Sequence, residues 1–359
     1  MNLQASAELS HALPQRTWLL LVLLATTACP DTRLHSPRAA GLDGVVGNLE
    51  RFEESRFLMG TLVRVVLYAP AEPQARAAFD SSFLRVEQLD RMLSDYKPES
   101  ELSRLGTNAV HQPVAVSPEL FFLLEQSLQI SRDSHGAFDV SVGPLTQLWR
   151  QSRRTRRLPD AAVLAQAKEA SGYRKIVLDR KSHAVRLLRS DMRLDLGGIA
   201  KGFAADEVLS TLRHRQISRA LVAVGGDIAV SEAPPGAAGW VVSVRNADPT
   251  DPAPERKFVL INRAVSTSGD TEQFVEIGGQ RYSHIIDPLT GLGLRNSSSV
   301  TVIAPSGTTA DGLATALTVL PPPEALRLAE RTPHVAALIV RRNGSRTESF
   351  VSRRMRRYL

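Results

Sequence analysis

With one cysteine in 359 residues, Cys29, the chain cannot close an intramolecular disulfide, so its body must be held by its core alone. Aromatic residues are scarce at 5%, which leaves Leu, Val, Ile and Ala to build that core. After residue 28 no stretch is long and apolar enough to cross a bilayer. What is present is ordinary globular composition, 43% hydrophobic and 23% charged, which excludes a disordered chain. The length fits one large domain or two lobes.

Residues 1–28 read as a signal peptide. Arg16 precedes the apolar run Trp18–Ala25, and small residues follow up to Ala28. Cys29 then stands where a bacterial lipobox places its acylated cysteine, although Thr26 occupies a position usually held by Leu. An ordinary signal peptide ending near a cysteine is the other reading. Residues 29–50, rich in Gly, Pro and Ala, read as a flexible tether between a lipid and the folded body. The expected location is thus the periplasmic face of a bacterial membrane, lipid-anchored.

The formal charge is +7, and loss of residues 1–28 removes Arg16 and Glu8 and leaves it unchanged. The excess is gathered in Arg150, Arg153, Arg154, Arg156 and Arg157, and again in Arg353, Arg354, Arg356 and Arg357. Neither run carries a nucleic-acid recognition motif or interleaved aromatics, so nucleic acid is not an expected partner. A solvated face or attraction to anionic headgroups fits an exported protein better.

Residues 61–68 alternate as a first strand. Phe79, Phe83, Val86, Leu89 and Leu93 form one stripe of a helix over about 73–93. Ser117-Pro118-Glu119 starts another helix, expected to end near Gly136. Further helices are expected over about 159–170, 199–212 and 309–319, the last ended by Pro321-Pro322-Pro323. A hairpin is expected over 174–195, with strands over 220–224, 240–245, 257–261, 281–286, 299–304 and 335–341. Helices and strands mixed without strict alternation argue for α+β with largely antiparallel sheets. The body is expected over 51–345, followed by a basic tail, 346–359.

Four clusters carry chemistry. Asp195-Leu-Gly-Gly-Ile-Ala-Lys-Gly202 places two glycines before a helix start, where a backbone can approach a phosphate closely; a plain turn is the other reading. Val224-Gly-Gly-Asp227 is a strand end and a tight turn. Ser266-Thr-Ser-Gly-Asp270 precedes Ser283-His-Ile-Ile-Asp-Pro-Leu-Thr-Gly291, in which His284 is either a structural histidine or a base. On Ala310–Ala316, Asp311 and Thr315 are four apart, so their oxygens share one helical face, as a hard cation needs. The same residues fit a capping box between Thr308 and Asp311, with Thr315 bonding back to a helix carbonyl.

In this order the clusters resemble the ApbE family of FAD:protein FMN transferases. Also matching are Met59-Gly-Thr61, Leu93–Leu105, Gly136–Leu145 with Trp149, and Thr267-Ser-Gly269, so the resemblance spans 59 to about 340. It implies an ApbE-like fold with two intimately packed lobes. It also implies FAD contacts at Met59, Tyr96, Ala137, Phe138, Asp139, Asp195, Lys201 and Ile286. Metal ligation is implied at Asp311, Thr315 and the Gly198 carbonyl, and a general base at His284. Gly106, where the family usually has Asn, and Thr271, in place of a frequent aromatic, depart from the pattern.

The implied reaction uses FAD as substrate and Mg²⁺, or Mn²⁺, as metal. FMN passes to a Thr or Ser hydroxyl of an acceptor flavoprotein, such as an exported domain of an Rnf- or Nqr-type redox pump, and AMP leaves. The same residues would serve an FAD pyrophosphatase, with water as acceptor. A non-catalytic FAD carrier needs neither base nor metal ligands, and a structural envelope lipoprotein has no use for the ordered Gly-rich clusters.

Overall fold

The structure, a computed structural model, describes residues 49–244, 255–269, 274–295, 297–343 and 346–359. The signal segment, Cys29, nearly all of the tether, Arg245, Asp270 and Thr271 lie outside the described residues.

The chain opens with β1 (Glu50–Leu58) and β2 (Thr61–Ala69), then α1 (Glu72–Leu93), α2 (Glu101–Asn108), β3 (Val114–Ala115) and α3 (Pro118–Asp133). Next come α4 (Gly143–Thr155), α5 (Ala161–Glu169), β4 (Ile176–Asp179), β5 (Ala184–Leu187), α6 (Ala200–His214), β6 (Ala220–Val224) and β7 (Asp227–Val230). Then follow β8 (Trp240–Val244), β9 (Arg256–Leu260), β10 (Arg263–Gly269), β11 (Phe274–Ile277) and β12 (Gln280–Ser283). The last elements are β13 (Ser297–Ala304), α7 (Gly307–Val319), α8 (Pro322–Arg331), β14 (Ala336–Asn343) and β15 (Arg346–Val351).

Eight strands form one antiparallel sheet, in the order β1-β2-β6-β7-β10-β13-β14-β15. The period-2 alternation divides its side chains between two cores. Val63, Val65, Val300, Val302, Ala337 and Ile339 face α1, α3, α6 and α7 in the larger core. Val66, Ile303, Ala336 and Leu338 face the β8–β9 hairpin on the other side. A third, smaller cluster gathers Trp149, Val275, Ile277 and Tyr282, and joins the β11–β12 hairpin to α4. The architecture is the expected α+β with antiparallel sheets.

Several expectations are corrected. The strand at 61–68 is the second, not the first. β1 precedes it as an edge strand whose charged residues pair locally, Arg51 with Glu53 and Arg56 with Glu54, which hides its half-buried alternation. The expected strand 281–286 stops at Ser283, so His284 lies in a bend beyond β12. The three prolines do not only end a helix: Pro322 and Pro323 open α8, where the missing N–H groups cost nothing. The segment 346–359, expected as a tail, contains β15, paired with β14 from Leu338↔Val351 to Asn343↔Arg346. Beyond it Arg354 Nη1 donates to the carbonyls of Glu330 (3.2 Å) and Thr332 (3.3 Å) at the end of α8.

Candidate active site

Two helix starts meet at the centre of the molecule. A Cβ on Gly202, in the first turn of α6, would lie 2.1 Å from the Gly307 carbonyl oxygen, at the start of α7. Only hydrogen at both positions permits this approach. The crossing is pinned by Asp206, one turn along α6. Its carboxylate accepts from the amides of Gly307 (2.6 Å) and Thr308 (2.8 Å) and from the Thr308 hydroxyl (2.6 Å). The N-cap of α7 is Ser306, whose hydroxyl accepts from the Thr309 amide at 3.2 Å. The capping box between Thr308 and Asp311 does not form, which frees Asp311 for the interior.

Asp311 is only 3% exposed. Its Oδ2 accepts from the Gly202 amide at 3.0 Å and lies 3.8 Å from Lys201 Nζ. Lys201 donates to Asp227, which also accepts from the Ser266 hydroxyl. Asp227 is the first residue of β7, directly after the Gly225-Gly226 turn, and 2% exposed. Two buried carboxylates thus share one ammonium. Burial works against the Lys201 charge, but Asp227 and Asp311 outweigh it and hold the ammonium above its ordinary range. Asp311 is pushed up to about 7, first by burial and then by the Asp227 charge, with Lys201 opposing.

One turn beyond Asp311, Thr315 Oγ1 donates to the Gly198 carbonyl at 3.4 Å, a long bond. The turn before α6 is held by the Gly197 amide on Asp195 Oδ1 at 2.8 Å. Neither glycine of this turn has positive φ. The closeness at Gly198 is the constraint, because a Cβ there would lie 3.1 Å from Thr315 Oγ1 and 3.2 Å from the buried Phe138 ring. Asp311, Thr315 and the Gly198 carbonyl therefore converge as hard oxygen donors with one carboxylate. No group of three or more His, Cys, Asp or Glu side chains gathers for a metal among the described residues. The donor set fits a cation such as Mg²⁺, which takes few protein ligands and completes its shell with water and phosphate.

A second group lies around α4. Arg150 Nη1 pairs with Asp95 at 2.6 Å, its Nη2 lies 3.5 Å from Asp195, and its guanidinium stacks 3.9 Å from the Tyr96 ring centroid. Tyr96 is 72% exposed and so offers an aromatic surface with a fixed cation on one face. Burial, then the Asp195 charge, raises the Asp95 carboxyl, with Arg150 opposing.

The neighbouring residue, Trp149, donates Nε1–H to the Ser283 carbonyl at 2.9 Å. A Cβ on Gly293 would meet that carbonyl at 2.3 Å and the indole at 2.5 Å. This places the half-buried His284 on a loop fastened to α4, with Ile286 packed on the Trp149 cluster. Asp287, the carboxylate on the same loop, has its Oδ1 occupied by the Leu289 amide at 2.9 Å.

Met59, at φ 50°, forms the β1–β2 turn with Gly60, and Thr61 beside it closes on Gly225 of the β6–β7 turn. Asp139 differs from the rest of its segment. Its oxygens accept from the Ser141 amide (2.8 Å) and hydroxyl (2.6 Å) and the Tyr173 amide (2.8 Å). Burial raises its carboxyl against those bonds. In this chain that side chain fastens the Gly136–Val140 loop. The Phe138 ring, implied as an FAD contact, is buried in the larger core behind Gly198, and half-buried Ala137 is what this segment leaves at the surface. The sequence motifs include Asp227 and Ser266, as ends of the Val224–Asp227 and Ser266–Asp270 clusters, but give neither a role, and they do not mark Asp206 or Arg150 as site residues. The Gly-Gly turn and the Ser-Thr-Ser-Gly run are the local signals for the first two; nothing local marks Asp206 or Arg150.

A fold of this kind, with carboxylate, hydroxyl, carbonyl and ammonium gathered at two buried helix starts, has the chemistry to hold a polyanion with a hard cation. The ApbE family model matches residues 59–339, and the chain belongs to the ApbE family. An FAD:protein FMN transferase of Treponema pallidum (strain Nichols) is 33% identical over 316 residues, covering 84% of this chain and 87% of that protein. One from Salmonella typhimurium is 30% identical over 345 residues, 94% of each. Among solved structures, a flavin transferase ApbE from Vibrio cholerae matches with a TM-score of 0.79 at 26% identity, covering 87% of this chain and 100% of that one. The ApbE protein of Thermotoga maritima matches at 0.76 with 28% identity, covering 86% and 99%.

Proposed function

We propose that this protein transfers FMN from FAD to a Thr or Ser hydroxyl of another protein, leaving a phosphoester and releasing AMP. The observation that carries the reading is the α6–α7 crossing, which gathers Asp311, Thr315 and the Gly198 carbonyl beside Lys201. Those three oxygens would hold Mg²⁺ or Mn²⁺, which supplies charge neutralisation at the FAD pyrophosphate. Lys201, kept charged by its two carboxylates, adds a fixed positive charge next to that position. Tyr96 with Arg150, together with Ala137, Met59 and Ile286, provides apolar and aromatic surface for the flavin and adenine, and the buried Phe138 ring backs the Gly198 turn from within the core.

In the reaction the acceptor oxygen attacks the FMN phosphorus. The bond from that phosphorus to the oxygen bridging it to AMP breaks, and the acceptor proton passes to the His284 imidazole. Positioning and electrostatics supply most of the rate, as in other phosphoryl transfers. Export, acylation at Cys29 and acceptors of the Rnf or Nqr type complete the proposal. Incubation with FAD and Mg²⁺ with and without a candidate acceptor domain, followed by nucleotide chromatography, tests it. AMP formed with little free FMN supports transfer. Equal AMP and free FMN indicates a pyrophosphatase, and unchanged FAD a carrier.

A further inference from the structure

The two arginine runs have different fates. At the C-terminus, Arg353 pairs with Glu330 at 3.2 Å and Arg354 caps the end of α8, so that run is partly absorbed into the fold. At the end of α4, the exposed Arg153, Arg154 and Arg156 make no ion pair among the described residues. Together with Arg150 they line a cavity of about 560 Å³, across which stand Phe274 and Glu276 of β11. Four guanidinium groups thus face one carboxylate in a concave setting.

Position links this cavity to the active site at two points. Arg150 belongs to both, since it also pairs with Asp95 and stacks on Tyr96. The β11 wall continues through its hairpin partner β12, which ends at Ser283, next to His284. A polypeptide seated against the arginines would therefore run past the candidate base.

We propose that this cavity docks an acidic stretch of the acceptor polypeptide, next to the hydroxyl that receives FMN. The proposal rests on the reading of the chain as a flavin transferase. Guanidinium forks match carboxylates bidentately, and the exposed Phe274 adds an apolar wall that suits a peptide side chain. Glu276, the one carboxylate in the cavity lining, can accept from the backbone N–H groups that a peptide brings along with its acidic side chains. A concave site of mixed chemistry also differs from the flat basic face that attracts a lipid surface.

The test uses the full chain with FAD and Mg²⁺. A dye-labelled nonapeptide with a central Thr flanked by Asp and Glu, and its Asn/Gln counterpart, are titrated by fluorescence anisotropy. The acidic peptide should bind at least about tenfold tighter than the neutral one, with an affinity that falls as salt rises. The double variant R153E/R154E should lose that preference while FAD affinity, read by flavin fluorescence, stays within about twofold; R153Q/R154Q should show a smaller loss in the same direction.

Wild type that does not discriminate, or a double variant that binds the acidic peptide as wild type does, overturns the proposal. So does a parallel loss of FAD affinity, which assigns the arginines to FAD phosphate. Binding of phosphatidylglycerol vesicles through these arginines without peptide binding overturns it in favour of a lipid surface. Charge-selective peptide binding without flavin transfer to any acceptor supports the docking site and defeats the transferase reading instead.

Discussion

The Gly202–Gly307 contact is the most demanding feature of the site, and Gly202→Ala probes it directly. A new Cβ would sit 2.1 Å from the Gly307 carbonyl oxygen and 2.8 Å from Asp311 Cβ. Both obstacles are rigid, so no rotamer change relieves them, and α6 and α7 must separate by about 1 Å to restore ordinary contact. That movement lengthens the 3.0 Å bond from the Gly202 amide to Asp311 beyond hydrogen-bond range. Overpacking costs about 1–3 kcal/mol and a lost bond to a charged group about 1.5–3 kcal/mol. Better helix propensity of Ala returns at most about 1 kcal/mol. The net loss is about 2–4 kcal/mol, which at about 2–4 °C per kcal/mol lowers Tm by roughly 5–15 °C. Transfer should fall about 100-fold, because the oxygen donors are misplaced by about 1 Å. Gly226→Ala is the control, since its Cβ would meet only the Thr267 carbonyl at an ordinary 3.8 Å; it should melt within about 0.5 kcal/mol of wild type. A Gly202→Ala protein that melts and transfers like wild type would refute the crossing as the determinant of the site.

Other expectations follow from the same geometry. His284→Ala should keep FAD and Mg²⁺ affinity yet lose about 10²–10⁴-fold in transfer rate; loss of the fold, or an unchanged rate, would return His284 to a structural role. In the metal-free protein, Asp311 holds its proton up to about pH 7, against 3.8 for an ordinary aspartate. Its stabilising contribution is complete below the lower value and disappears as pH rises through the higher one. The metal-free Tm should therefore fall between about pH 4 and pH 7 and level off above, Mg²⁺ should raise it most at pH 8, and Asp311→Asn should flatten both trends; a wild-type Tm with no such pH dependence contradicts the placement of Asp311. Cys29→Ser should release the protein from membranes or block its processing, and recovery of unacylated wild type from the soluble fraction after export would defeat the anchor.

Much of the fold was readable because its helices announce themselves. The Phe79–Leu93 stripe of α1 is buried as its period requires, and the Ser117 cap and Pro118 start α3 as expected. Where charges mask the pattern, sequence reasoning failed. β1 carries Glu54 and Arg56 on its half-buried face between Phe52 and Leu58 and exposes Phe57, and α4 opens on Gly-Pro and ends in arginines, so its buried Leu145 and Trp149 are too few to show a stripe. The site was legible as motifs but not as geometry. Asp311 and Thr315 share a helical face by spacing alone, yet only the tertiary crossing decides against a capping box, because Ser306 takes the cap and Asp206 the Thr308 hydroxyl. Asp206 and Ser266 act across 102 and 39 residues of sequence, a distance at which no local pattern carries information.

The central claim, that FMN leaves FAD for a protein oxygen at the α6–α7 crossing, is tested most directly by intact-mass spectrometry of an acceptor domain. The acceptor would be incubated with FAD, Mg²⁺ and either the wild-type enzyme or Asp311→Ala. Wild type should add one FMN less one water to a single Thr or Ser, with one AMP released per modification, and Asp311→Ala should leave the acceptor unmodified. An acceptor of unchanged mass while FAD is consumed to free FMN and AMP, or full modification by the Asp311→Ala protein, would contradict the account.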